Sequence, residues 1–182
     1  MADSHIDSCV EIMEVLAMTQ EVQSGNWEAM VALLTKADQF QLPGARWFAL
    51  LDGSYYVVGL GKTDKNIADR AYFPKLMSGN KVLGDLVVSK STGEKSLVAA
   101  VPVIKEGKVI GGLGTSIFLN DLSNIIAEEL KLSDEMTFYA VTPGNEVALH
   151  TNTELILQEN PEPPSNAVYK TSSLTGWRFA LG

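Results

Sequence analysis

The sequence predicts an α+β fold: two helices, then an open antiparallel sheet with helices on one side, then a smaller β-rich unit. Three observations predict it. The hydrophobic period is helical up to about residue 40 and extended from Ala45 to Phe118. The strand-like segments are joined by turns too short for anything but antiparallel pairing. A helical stretch near residue 120 then separates them from a second set of short strands.

Ile6, Val10, Met13, Ala17 and Glu21 recur at steps of three or four, which predicts one helix of about four turns from Ile6 to Val22. "SGN" (Ser24 to Asn26) interrupts the period, and Asn26 is placed to cap a second helix. There Trp27, Met30, Val31, Leu34 and Ala37 share a face, and "LPG" at Leu42 to Gly44 follows its end. "RWFALLDGSYYVVGL" reads as two strands around the Asp52–Gly53 turn. "DLVVSKSTGEKSLVAAVPVIKEGKVIGGLGTSIFL" reads as three more, punctuated by "TGE" (Thr92 to Glu94) and "EGK" (Glu106 to Lys108). Between the two groups lie "DRAYF" and "PKLMSG", where Pro74 opens and Gly79 closes a short helix. Sheet and helices in this order pack most economically as layers.

"NDLSNIIAEEL" sets Leu122, Ile125, Ile126 and Leu130 on one helical face, with Asn120 as its expected cap. Beyond it, "MTFYAVT", a "PGN" turn, "EVALHT", a Pro- and Glu-rich loop from Gln158 to Asn166, "AVYKTSSL" and "WRFALG" give about four short strands. So few residues make little core of their own, and this unit is expected to pack on the first.

Composition narrows the function. Of 182 residues, 46% are hydrophobic and 20% charged, a globular balance. A net charge of -8 argues against nucleic acid or anionic lipid as the main partner. One cysteine, Cys9, excludes an internal disulfide and a cysteine-rich zinc site. The longest apolar run, "LVAAVPVI" (Leu97 to Ile104), is far too short to span a bilayer. No basic-then-apolar leader pattern opens the sequence.

Enzymatic motifs fail one by one. "GLGKTDK" ends like a phosphate-binding loop, but Tyr56 stands where the leading glycine is required. "GGLG" (Gly111 to Gly114) lies inside a β-branched run, with Ile117 in place of the last glycine of a dinucleotide fingerprint. His5 and His150 have no second ligand at metal spacing, and no serine sits in a nucleophile-elbow pattern. Glu128 and Glu129 read as solvated. No catalytic residue, metal or cofactor is expected.

Two features stay open. In the last long strand Gly112, Gly114 and Ser116 share one face and Val109, Gly111, Leu113, Thr115 and Ile117 the other. Glycines there admit either a tightly packed helix or a ligand. Arg70 in "NIADRAYFP" keeps its charge, so it needs an acceptor. That acceptor is either an acid of the chain, making Arg70 a loop clamp, or a ligand.

The stretch from Ala45 to Ser123, about eighty residues, resembles the Cache family of PAS-like extracytoplasmic sensor domains, found in chemoreceptors, histidine kinases and cyclic-di-GMP enzymes. The carrying residues are "DGSYY", "DRAYF", "SKSTGEK", "AVPVIKEGKVIGGLG" and "LNDLS", in that order. "FYAVTPGNEVALHTN" and "TGWRFALG" are similar to a shortened membrane-proximal module of the same family.

The resemblance implies a PAS-like antiparallel sheet with a long N-terminal helix. Its parts would be a helical segment (1–44), a membrane-distal ligand-binding module (45–119), and a connecting helix with a small membrane-proximal module (120–182). It implies that Arg70, Tyr72 and Phe73 line the pocket and that the arginine meets a ligand carboxylate. Ser89, Ser91 and Ser116 are further hydrogen-bonding candidates. Amino-acid-binding members carry a tyrosine where Lys65 stands, another near Val87, and an aspartate near Ser116. The resemblance thus implies a carboxylate clamp without an amine cage, hence a small organic acid or related polar metabolite. It also implies a membrane-anchored, dimeric parent receptor lying outside the cytoplasm, and no enzyme. The competing expectation is a structural or dimerisation module that binds nothing.

Overall fold

A computed structural model describes residues 2–159 and 168–182. Helix α1 (Ala2–Ala17) is followed by the one-turn α2 (Gln20–Gln23) and by α3 (Trp27–Ala37). The single helix expected from Ile6 to Val22 is therefore two. Thr19 makes the break: its Oγ1 donates to the Leu16 carbonyl and accepts from the Val22 amide, closing one helix and capping the next. Asn26 caps α3 as expected, its side chain accepting from Glu28 N at 3.0 Å. A single 3₁₀ turn, Asp38–Phe40, leads into the sheet.

That sheet has six antiparallel strands: β1 (Gly44–Ala49), β2 (Ser54–Val57), β3 (Gly61–Asn66), β4 (Val82–Val88), β5 (Lys95–Lys105) and β6 (Lys108–Phe118). Their order is β3-β2-β1-β6-β5-β4. One more strand forms than the sequence predicts. The segment "GKTDKN" carries no apolar alternation, yet it pairs with β2 at the sheet edge, where polar side chains are tolerated.

Both faces of the sheet are covered, not one. Val10, Met13 and Leu16 of α1 and Trp27, Met30 and Leu34 of α3 pack on Phe48, Ala99, Val101, Val103 and Leu113. The opposite face, with Trp47, Ala49, Val57, Val98 and Ala100, is closed by the crossover from Ile67 through the short α4 (Phe73–Met77). This crossover positions the site described below.

Helix α5 (Leu119–Leu130) continues directly from β6. Its cap position is Phe118; Asn120, the expected cap, lies inside the first turn. Strands β7 (Phe138–Val141), β8 (Val147–His150), β9 (Val168–Thr171) and β10 (Arg178–Leu181) form a second antiparallel sheet in the order β8-β7-β10-β9. The Pro- and Glu-rich loop falls, from residue 160 on, outside the described residues. One hydrophobic cluster joins the two sheets: Ile6 and Cys9, Leu97 and Ile117, Leu122 and Ile126, Phe138, Leu149 and Trp177 all belong to it. The second unit packs on the first as its small size demands.

Candidate functional site

On the crossover-covered face of the large sheet, a cavity of about 20 Å³ is lined by Trp47, Tyr55, Ile67, Arg70, Tyr72, Val87, Ser89, Lys90, Ser91, Val98 and Ser116. That is room for about one water molecule. Five of the six expected site residues meet here: Arg70, Tyr72, Ser89, Ser91 and Ser116. Phe73 does not line the cavity. It opens α4 and is buried among the apolar side chains beneath the crossover.

Strand register builds the back wall. Trp47 on β1 stands opposite Gly114 on β6, and a Cβ at position 114 would overlap its indole. A Cβ at Gly112 would come within 2.6 Å of the Leu76 side chain on α4. The glycine notch is therefore filled, by an indole and by a helix. Beyond the indole, Ser116 accepts a hydrogen bond from Trp47 Nε1 at 3.2 Å. Tyr55 and Tyr72 complete an aromatic wall, each ring centroid 6.4 Å from that of Trp47.

The front is polar. Nη2 of the half-buried Arg70 donates to the Val88 carbonyl at 2.8 Å. Among the described residues no carboxylate stands within ion-pair distance of that guanidinium. Its neighbour Asp69 is engaged elsewhere, accepting from Lys90 Nζ at 2.5 Å. Lys90 Nζ also donates to the Asn66 carbonyl at 2.7 Å. Ser89 and Ser91 hydroxyls lie 3.2 Å apart, and Ser89 Oγ accepts from the Thr92 amide, bracing the β4–β5 turn.

Burial pushes the Tyr72 hydroxyl far above its usual pKa, against the opposing pull of the Arg70 charge. Tyr72 is thus a neutral donor at any physiological pH. The hydrogen bond from Lys90 holds Asp69 below the usual carboxylate range. Asp85, on β4, lies close enough to act on Tyr72 but does not line the cavity. The lining offers a guanidinium, an ammonium and several hydroxyls, and no carboxylate. Such a set can hold an anion.

Arg46, which the sequence reading passed over, is the chain's buried structural cation. It is 3% exposed; its Nη2 donates to the Leu42 carbonyl and its Nε faces the Asp38 carboxylate at 3.2 Å. Burial lowers its pKa and Asp38 opposes that shift. Trp47, Tyr55 and Lys90 were also missed. For Trp47 a signal existed: a glycine within a strand calls for a large neighbour, though not for a particular one. Glu129, expected to be solvated, accepts from His5 Nε2 at 2.6 Å. Among the described residues no cluster of three His, Cys, Asp or Glu side chains is placed to hold a metal.

A larger cavity, about 470 Å³, opens between the start of α1, the end of α5 and β9–β10. Its walls are mainly Ile126, Leu130, Phe138, Phe179 and Leu181, and its one acid, Asp3, already accepts from Ser172 Oγ at 2.7 Å. Tyr169, Lys170, Thr171 and Ser173 also line it, but it holds no guanidinium, and the expected site residues gather in the smaller cavity instead.

No family model matches the chain, and neither does any curated protein. Solved structures do match. The ligand-binding domain of the Pseudomonas fluorescens chemoreceptor CtaA, in complex with L-valine, superposes with a TM-score of 0.75 at 16% identity, over 97% of this chain and 88% of that one. The sensory domain of a Campylobacter jejuni chemoreceptor with isoleucine bound gives 0.68 at 13% identity, over 99% and 85%. The sensor domain of the V. cholerae histidine kinase DctB gives 0.66 at 12% identity, over 99% and 92%. The likeness spans both sheets, well beyond the eighty residues whose sequence carries the resemblance. At these identities it is a likeness of fold, and the fold is that of the Cache-type sensor domains of chemoreceptors and histidine kinases.

Proposed function

We propose that this chain is the extracytoplasmic sensing part of a membrane-anchored signalling receptor, and that the cavity beneath the crossover binds a small organic acid. One observation carries the reading: Arg70 stands at the rim of that cavity with a neutral carbonyl as its protein acceptor and, among the described residues, no carboxylate within ion-pair distance. Only one of its N–H groups is used there, which leaves donors for a carboxylate. Tyr72 and the hydroxyls of Ser89, Ser91 and Ser116 supply neutral donors around it. The P. fluorescens and C. jejuni neighbours are solved with amino acids, which also carry a carboxylate. The lining here has no acid to meet an ammonium, which favours a simple acid. Among the described residues no helix is long and apolar enough to cross a membrane, so anchoring would lie elsewhere in the parent protein. Dimerisation of the parent belongs to the same proposal.

Thermal shift tests this directly, with acetate, lactate, succinate, L-serine and L-valine as probes and Arg70→Ala as the control. A probe at a hundred times its Kd should stabilise by about 2.7 kcal/mol, on the order of 5–10 °C for a chain this size. The shift should vanish in Arg70→Ala. Stabilisation by the amino acids instead of the simple acids would overturn the ligand class. No response to any probe, with a destabilised mutant, would favour a structural clamp.

A further inference from the structure

The hydrogen bonds at the mouth of the cavity close it from within. Lys90 lines the cavity, yet its ammonium is held by two groups of the chain, the Asn66 carbonyl and the Asp69 carboxylate. Both belong to the end of β3 and the start of the crossover, whereas Lys90 belongs to the β4–β5 turn. With the Arg70–Val88 bond, these contacts tie the crossover to the turn across a space only one water wide. A ligand larger than water enters only if this tie loosens.

Its weakest link is Asp69. The Asp69 side chain is 74% exposed, and Lys90 is its ion-pair partner. Exposed pairs contribute little, because water screens them and ordering two side chains has an entropic cost. A carboxylate inside the cavity would meet Lys90 from the drier side, where the same charge interaction is stronger. It would also have Arg70 beside it.

We infer that Lys90 is a second anion-binding cation of this site and that Asp69 is its built-in competitor, released when a carboxylate ligand takes the ammonium. This rests on the reading of the cavity as an organic-acid site and adds to it a specificity residue and a restraint. Binding then exchanges an internal ion pair for a ligand contact. It also removes one of the three bonds that tie the crossover to the end of β4 and the β4–β5 turn, giving the site two arrangements that differ in one partner of one lysine. The exchange involves no covalent step.

The experiment measures Kd for acetate, lactate and succinate by calorimetry, in wild type, Asp69→Ala, Lys90→Met and the double variant. Asp69→Ala should tighten the binding acid by about two- to fivefold, the worth of an exposed pair. Lys90→Met should weaken it by about tenfold or more, as loss of a charge-assisted hydrogen bond does. In the Lys90→Met background, Asp69→Ala should change nothing, since the competition needs the lysine. Asp69→Asn serves as a second variant that keeps the side chain's shape. Tightening that persists without Lys90 would overturn the inference, because it would be a general effect of removing negative charge. So would Asp69→Ala that binds no better than wild type, while Arg70→Ala still abolishes binding; the site would then stand and the competitor would not. Absence of acid binding in all four proteins would overturn both readings together.

Discussion

At position 114 a hydrogen atom is all the fold allows. The Trp47 indole lies across it from the neighbouring strand and is fixed at its far end by the hydrogen bond to Ser116. A methyl group there must push the ring aside, which strains a packed wall and stretches that bond. Gly114→Ala should therefore lose about 1–3 kcal/mol of stability, the usual cost of overpacking. Gly112→Ala should lose less, because the atoms it meets first end a flexible leucine side chain on α4. Urea titrations of the two variants check this, and equal losses would refute the account. These positions also mark how far the site is legible in sequence. Strand alternation alone puts Gly112, Gly114 and Ser116 on one face, and the resemblance to the Cache family implies Arg70 and Tyr72. Trp47 escapes because it reaches the cavity through the pairing of β1 with β6, strands far apart in sequence, and Tyr55 and Lys90 because local period does not say which cavity a hairpin strand or a turn residue will line. Arg46 escapes for a related reason. One charged residue inside an apolar strand looks no different from an exposed one until Asp38 and the Leu42 carbonyl are seen around it.

Element ends show the same division between local and distant causes. The cap of α3 is read correctly because Asn26 acts on an amide two residues away. The hairpin of β1 and β2 and the turns around Gly93 and Gly107 are read correctly because their residues set their own geometry. The break at Thr19 is missed because helical spacing continues through it, while the hydroxyl bonds that divide the helix leave no mark on periodicity. Strand β3 is missed because an edge strand of polar residues is defined by its partner alone. The end of β8 depends on a titratable group. His150 Nδ1 accepts the Asn152 amide at 2.8 Å, which starts the 3₁₀ turn after the strand, and burial pushes the ring's pKa below its ordinary value. A neutral ring is thus favoured in the folded chain, whereas the unfolded chain binds a proton near pH 6.5. The stabilisation is present above that value and is lost as pH falls below it, because the unfolded state then binds more protons. The melting temperature should drop between pH 7 and pH 5, and the drop should shrink in His150→Gln. Asp52 and Asp69, with depressed pKa values, make their contributions only to losses at lower pH, below about 4. An unchanged pH profile in the variant would dismiss His150 as its source.

Across the whole molecule, α1 is an element common to the cores beneath both sheets. Its first half places Ile6 and Cys9 in the cluster shared with the second sheet, and its second half places Val10, Met13 and Leu16 against the large sheet. A displacement of the large sheet therefore reaches the second sheet by two routes, through α1 and through the direct run of β6 into α5. Such coupling requires the two sheets to behave as one cooperative body, and that is measurable. Trp177, 1% exposed, sits in the shared cluster but on the second sheet's side of it. Trp177→Ala should destabilise by about 3–5 kcal/mol, as loss of a buried indole does. The loss should appear equally in both sheets, because their common core leaves neither with a separate stability. Hydrogen exchange in rising denaturant reads this segment by segment, comparing β5 and β6 with β7 and β10. In wild type and variant the four strands should open together. If β7 and β10 of the variant open at lower denaturant while β5 and β6 keep their wild-type protection, the sheets are energetically separate, and a ligand beneath the crossover has no path through the shared core to the far end of the chain.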